Sequence, residues 1–305
     1  MDFKSNGKFL LTGEYLVLKG ATALALPLKF GQSMDVETLD KNENLIYWDA
    51  YQPSDNGYED WFSAVFDKTD LSVITSDDIE KAELLSNILK QLKSLNNDSF
   101  SEDKDYRFCC HMDFDPQWGL GSSSTLINNL SEWANVNPYH LLGSTFKGSG
   151  YDIACAKARG PIFYEMNGPN IRPAEFDPNF KDNLFFIYQG HKQNSSNEVK
   201  AFLDKKKDFE SETKSISEIS MILPDLQTLR DFCYFIKVHE EIMAKCLEHK
   251  RIKNYFSDFE GEIKSLGAWG GDFFMAATEW KHEKVKDYFG NKGLNTVFKY
   301  KDIVL

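Results

Sequence analysis

Residues 113–130 read DFDPQWGLGSSSTLINNL, and the rest of the chain is organised around this stretch. A strand end, a glycine turn, three serines and a helix start follow one another. Gly119 and Gly121 let the backbone turn sharply and approach a ligand closely. Ser122, Ser123 and Ser124 bring hydroxyls and amide N–H groups to the first helical turn. Those N–H groups have no intrahelical partner and the helix dipole is positive there, so an anion is stabilised. A serine-capped helix after a loop has the same local signature. The surrounding stretches therefore decide between the two.

Composition narrows the field. The chain has 305 residues, 42% hydrophobic and 14% aromatic, enough for one large or two moderate domains with a proper core. A formal net charge of -12 argues against nucleic-acid or anionic-membrane partners. An anionic ligand must then be held locally, by backbone N–H groups, a metal and a few lysines. Neither a signal peptide nor an apolar run of ~18 residues is expected from the sequence. The five cysteines are odd in number and lack metal-type spacing. Reduced thiols in a cytoplasmic protein are the expectation.

Along the chain, 8–18 reads as two strands joined at Thr12-Gly13-Glu14, and 20–28 as a small apolar segment ended by Pro27. Residues 32–38 alternate as a strand. Residues 42–78 read as less regular, their aromatics packing a loop or short strands onto the domain or lining an acceptor pocket. Apolar residues at helical spacing predict a helix after Asp78, through Leu95. A strand over 106–113 feeds the glycine turn, and its helix is expected over about 123–134. Asp152 stands where a helix N-cap before Ile153 is expected. The second half reads strand, helices broken near Pro224, glycine cluster, strand, helix and a last strand over 295–305. That order points to an antiparallel sheet with helices on one face, an α+β arrangement.

Several chemistries are excluded by motif. There is no G-x-x-x-x-G-K-[ST], no third glycine of a dinucleotide fingerprint, no kinase H-R-D or D-F-G, and no H-E-x-x-H. What remains is a set of glycine- or serine-rich turns, each beside short apolar strands. Residues 7–28 read GKFLLTGEYLVLKGATALALPL, 119–125 GLGSSST, and 264–276 KSLGAWGGDFFMA. In this order they resemble the three motifs of the GHMP kinase superfamily. Residues 148–164, GSGYDIACAKARGPIFY, and 189–199, QGHKQNSSNEV, resemble the phosphomevalonate kinases within the mevalonate kinase and phosphomevalonate kinase branch.

The resemblance implies a two-lobed α+β fold, with an N-terminal lobe carrying the phosphate loop (1–180) and a C-terminal ferredoxin-like lobe (181–305). It implies an ATP-dependent kinase, with Mg²⁺, acting on a small mevalonate-type acceptor in isoprenoid precursor synthesis. Residue by residue, Asp152 matches the proposed base and Lys8 the active-site lysine. Gly119, Leu120, Gly121, Ser122, Ser123 and Ser124 match the nucleotide phosphate loop, and Ser123 the metal-binding serine. Glu14, Tyr15, Ser149, Gly150, Ser195 and Ser196 match substrate-side positions, and Gly267, Gly270 and Gly271 shape the third loop.

Two departures stand out. Residues 140–147 contain no acid where mevalonate kinases carry a glutamate that binds a second metal. Trp269 stands where the family usually has glycine, which implies a displaced loop or a roof over the acceptor pocket. The alternatives are a GHMP kinase for homoserine or a sugar, the related diphosphomevalonate decarboxylase, and a catalytically silent relative that binds a ligand. Acceptor identity and oligomeric state are not legible at this level.

Overall fold

The computed structural model describes the chain except 101–102, 147, 167, 191–194, 206 and 268, and the side chains of 195–197. Strand β1 (Asp2–Thr12) does not lead into a hairpin. Gly13 and Tyr15 take φ of +89° and +58°, which redirects the chain into a 3₁₀ turn, Leu16–Lys19. The small apolar segment at 20–28 and the strand expected over 32–38 belong to one strand, β2 (Ala23–Leu39). Pro27 does not end it, because the proline falls between the residues paired with β7 (23–25) and those paired with β6 (32–39). A missing N–H is tolerated at such a point.

The segment expected to be less regular is a long hairpin, β3 (Leu45–Ser54) and β4 (Gly57–Asp67), followed by β5 (Val73–Ser76). Helix α1 (Ile79–Leu95) starts as expected, with the Asp78 carboxylate accepting from the Lys81 N–H at 3.1 Å. Then come β6 (Asp105–Met112), α2 (Ser122–Trp133), α3 (Pro138–Thr145), α4 (Tyr151–Ala156) and the short pair β7 (Ile162–Glu165) and β8 (Asn170–Pro173). Strand β9 (Leu184–Tyr188) opens the helical stretch, which falls into α5 (Ser195–Leu203), α6 (Glu210–Ile222) and α7 (Leu229–Leu247). Pro224 lies in a 3₁₀ turn between the last two. Strands β10 (Glu262–Ser265) and β11 (Phe273–Ala277) flank the glycine cluster, and α8 (His282–Gly290) follows. The expected last strand is shortened to β12 (Val297–Lys299) and continues as α9 (Tyr300–Ile303).

The chain forms two compact units that interleave in sequence. One comprises 1–7, 30–116 and 120–157. Its sheet runs β5-β4-β3-β6-β2, antiparallel except between β3 and β6. Trp48, Phe66 and Phe108 from the strands meet Leu85, Ile88 and Leu89 of α1 and Ile127 and Leu130 of α2 in one core. Polar pins hold α2 on β2. Thr125 donates to Gln32 Oε1 at 2.7 Å, and Asn129 Nδ2 donates to the Gln32 carbonyl at 3.0 Å. Each is a buried, satisfied contact, and together they fix where the helix begins.

The other unit comprises 8–29, 117–119 and 158–305. Its sheet, β10-β11-β9-β12, is antiparallel throughout. Helix α7 presents Phe232, Ile236, His239, Glu240 and Met243 inward at helical spacing. The 8–29 segment is built into this unit: Phe9 stacks on Phe186 at 4.9 Å, Thr12 shares a hydrogen bond with Ser220 at 2.7 Å, and Thr22 N–H donates to Ser217 Oγ at 3.0 Å.

Candidate active site

In the first unit the serine run lies within the first turn of α2. Gly121, not a serine, is the N-cap; at φ +103° it supplies no side-chain cap. The first-turn N–H groups therefore keep their donor capacity for a ligand. Ser123 is exposed, Ser122 half-buried, and Leu120 is sealed beneath them. Ser124 is buried and donates its hydroxyl hydrogen to Asp152 Oδ2. Asp152 is not a helix cap either. That role falls to Gly150, at φ +85°, and Asp152 is the second residue of α4 with its carboxylate aimed by Ser124. Ser149, half-buried, leads into the Gly150 turn.

A cavity of about 110 Å³ lies against Ser122 and Ser123. Trp48, Trp61, Phe62, Ile88 and Phe146 give it an apolar lining, and Lys81 adds an ammonium group. The Lys81 ammonium stands 4.7 Å from the Trp61 ring centroid and 2.8 Å from Asp78 Oδ2. The aromatics of the hairpin thus line a cavity beside the serines. Lys81 and Phe146 were not singled out from sequence, because only the folded sheet and α1 bring them together.

In the second unit Lys8 Nζ donates to the Gly119 carbonyl at 2.8 Å. Gly119 has φ +68°, and a Cβ there would fall 2.4 Å from the Asp272 carboxyl group. Only glycine fits that position. The third loop is fixed at its far end, where Gln189 N–H donates to the Asp272 carbonyl at 2.8 Å and Gln189 Nε2 to the Gly271 carbonyl at 2.7 Å. Gly267, Gly270 and Asp272 all have positive φ. Asp272 and Gln189 carried no role in the sequence reading; the one available signal was their place next to a glycine motif.

Trp269 folds inward and is 6% exposed. Its N–H donates to the Tyr15 hydroxyl at 3.2 Å. Tyr15 packs on Phe202 at 5.5 Å, and burial pushes its hydroxyl pKa up to about 12, so it stays protonated at neutral pH. Glu14 is enclosed at 1% exposure, paired with Lys264. Ser195 and Ser196 begin α5, and their side chains lie outside the described residues.

Among the described residues no group of three or more His, Cys, Asp or Glu is placed to hold a metal. A Mg²⁺ bound through phosphate oxygens and few protein ligands is still compatible with the exposed Ser123 hydroxyl. Among the described residues no helix is long and apolar enough to cross a membrane.

No protein-family model matches the chain, and no curated protein matches it in sequence. Solved structures do share its fold. The Methanococcus jannaschii mevalonate kinase is 16% identical with a TM-score of 0.71, covering 98% of this chain and 96% of that one. The Streptococcus pneumoniae phosphomevalonate kinase, in complex with phosphomevalonate and AMPPNP, is 15% identical with a TM-score of 0.69, covering 98% and 99%. The Lactococcus lactis galactokinase complexed with galactose is 13% identical with a TM-score of 0.60, covering 98% and 92%. The chain has the α+β fold of these GHMP kinases.

Proposed function

We propose that the chain is an ATP-dependent kinase of the GHMP type that transfers the γ-phosphoryl group to a mevalonate-type acceptor, phosphomevalonate or mevalonate. The observation that carries this reading is the α2 N-terminus. It combines uncapped N–H groups, an apolar aromatic cavity beside Ser122 and Ser123, and a serine hydroxyl bonded to the carboxylate of Asp152. A nucleotide has these parts: a flat apolar base for the cavity and anionic phosphates for the helix N-terminus. Ser123 would hold Mg²⁺, which when bound neutralises phosphate charge.

In this scheme Asp152 accepts the proton of the attacking acceptor group, and Ser124 keeps the carboxylate in one orientation. Lys8, steered by the Gly119 carbonyl, contributes positive charge where the phosphoryl group is transferred. Tyr15, Ser149, Gly150, Ser195, Ser196 and the loop glycines Gly267, Gly270 and Gly271 serve the acceptor, with Glu14 supporting Tyr15 from behind. The phosphomevalonate-type segments at 148–164 and 189–199 favour that acceptor class. An odd number of cysteines without metal-type spacing is in keeping with a cytoplasmic enzyme of isoprenoid precursor synthesis.

The test is ATP consumption with a panel of phosphomevalonate, mevalonate, homoserine and sugars. Phosphomevalonate or mevalonate should give the highest kcat/KM. Asp152→Asn should lower kcat about 10²- to 10⁴-fold, the usual range for a general base, with nucleotide affinity unchanged. Full activity in that variant removes Asp152 from its role. Turnover of a sugar alone redirects the acceptor, and binding without turnover of any compound identifies a silent member of the fold.

A further inference from the structure

Lys264, the third residue of β10, has no solvent exposure. Its ammonium donates to Glu14 Oε1 and, at 2.9 Å, to the Ser265 carbonyl, and it stands 3.5 Å from Glu240 Oε1. His239 closes the cluster. Its Nε2 accepts from the Gly13 N–H at 3.3 Å and lies 3.3 Å from Glu14 Oε2. All four side chains are at most 1% exposed. An ion pair so placed rarely adds stability over an apolar pair of the same volume. Such a pair calls for a role other than net stability.

Its position supplies one. The cluster joins the 13–15 turn, α7 and the start of the 266–272 loop, all within one unit. Tyr15 follows Glu14 directly and holds φ +58°, a conformation unfavourable for an aromatic residue unless its surroundings impose it. The same Tyr15 accepts from Trp269 in the loop that Lys264 leads into. The turn and the loop are thus tied twice, by the Lys264–Glu14 pair at their base and by the Trp269–Tyr15 hydrogen bond at their tips.

We propose that Lys264 is a positioning residue for the acceptor: by gripping Glu14 it fixes the Tyr15 hydroxyl and the Trp269 backbone as one preformed surface. This rests on the kinase reading above. Lys264 touches no substrate and acts through Glu14 and Tyr15.

The test compares wild type with Lys264→Met and with the double variant Glu14→Gln/Lys264→Met. The single variant leaves a buried carboxylate without its cation and should lower the thermal midpoint. The double variant removes both charges and should recover most of that loss. Its acceptor KM should nevertheless stay at least tenfold raised, with ATP affinity within twofold of wild type. Recovery of acceptor KM together with stability would show a purely structural role and overturn the proposal. Tyr15→Phe provides a variant that leaves the ion cluster whole and cuts only the upper tie. It should raise acceptor KM at least fivefold, and an unchanged KM also overturns the proposal. Hydrogen exchange at the Trp269 amide separates this from the kinase reading. It should speed up at least tenfold in the double variant whether or not any acceptor is turned over, and unchanged exchange overturns the clamp. Absence of turnover by wild type on the whole panel counts against the kinase reading alone.

Discussion

Glu240 sits 3.5 Å from the Lys264 ammonium that Glu14 already engages, with no solvent exposure. Burial pushes its pKa up to about 8, against the pull of Lys264 and with the help of the Glu14 charge; the Ser265 backbone and, more weakly, Arg251 pull it down. Burial, aided by Lys264, pushes His239 down to about 4. The ordinary values are 4.5 and 6.5. Between pH 4.5 and 6.5 the folded chain holds an extra proton on Glu240 while the unfolded chain holds one on His239, and the two effects oppose. Glu14, with a lowered pKa despite its burial, adds stability that is lost only as pH falls below its ordinary value of 4.5. Between pH 6.5 and 8 Glu240 acts alone: the folded state is protonated and the unfolded state is not, so stability falls as pH rises. One proton corresponds to about 1.4 kcal/mol per pH unit, giving on the order of 2 kcal/mol across the window. Glu240→Gln should flatten this decline, measured as urea midpoints at pH 6.5 and pH 8; an unaltered decline rules the assignment out. A sign of this buried charge was present in the sequence. His239 and Glu240 continue the helical spacing of Phe232, Ile236 and Met243, but a lone His-Glu-Glu run reads equally well as a solvated face. Lys264 offered less, since nothing local in β10 names a partner 250 residues away.

At the scale of elements, the glycine turn before α2 tests how strictly the motif is built. Gly119→Ala faces two penalties. A side chain at φ +68° costs about 1–2 kcal/mol, and overpacking against the Asp272 carboxyl adds about 1–3 kcal/mol. Gly119→Ala/Asp272→Ala should recover the second part only, and chemical denaturation of the two variants reads the difference. Equal stability of Gly119→Ala and wild type excludes the packing. Such turns were legible because glycine and serine act locally. The β3–β4 hairpin was not. Ile46, Trp48 and Ala50, then Phe62, Ala64 and Phe66, alternate as buried residues, but Tyr47, Tyr51, Trp61 and Val65 stand between them, so the composition hides the alternation that signals a strand. The 3₁₀ turn after β1 escaped for a related reason. Leu16, Val17 and Leu18 have strand-like composition, and only the positive φ at Tyr15 sets them on another path. Pro27 read as the end of a segment because the two pairings on either side of it are long-range.

At the scale of the whole molecule, the units share the chain in alternating segments, an arrangement that no composition shift or linker announces. The consequence falls on the second unit. Residues 8–29 carry Leu11, Leu16, Leu24, Leu26 and Leu28, each fully buried, together with Phe9 stacked on Phe186. At about 1.5–3 kcal/mol for each buried side chain, their contribution is on the order of 10 kcal/mol. The net stability of a folded domain is only about 5–15 kcal/mol. A fragment of residues 158–305 keeps the β10-β11-β9-β12 sheet, α6 and α7 but lacks this segment. It also leaves Lys264 and Glu240 buried without Glu14, and Ser217 and Ser220 without Thr22 and Thr12. Such a fragment should retain helical far-ultraviolet circular dichroism, lose its near-ultraviolet signal, bind a hydrophobic dye and unfold without a cooperative thermal transition. Full-length protein measured beside it should unfold cooperatively. A cooperative transition in the fragment would mean that the strands and helices of 158–305 close their core without the 8–29 segment, and that Glu14 is dispensable to the charge balance around Lys264.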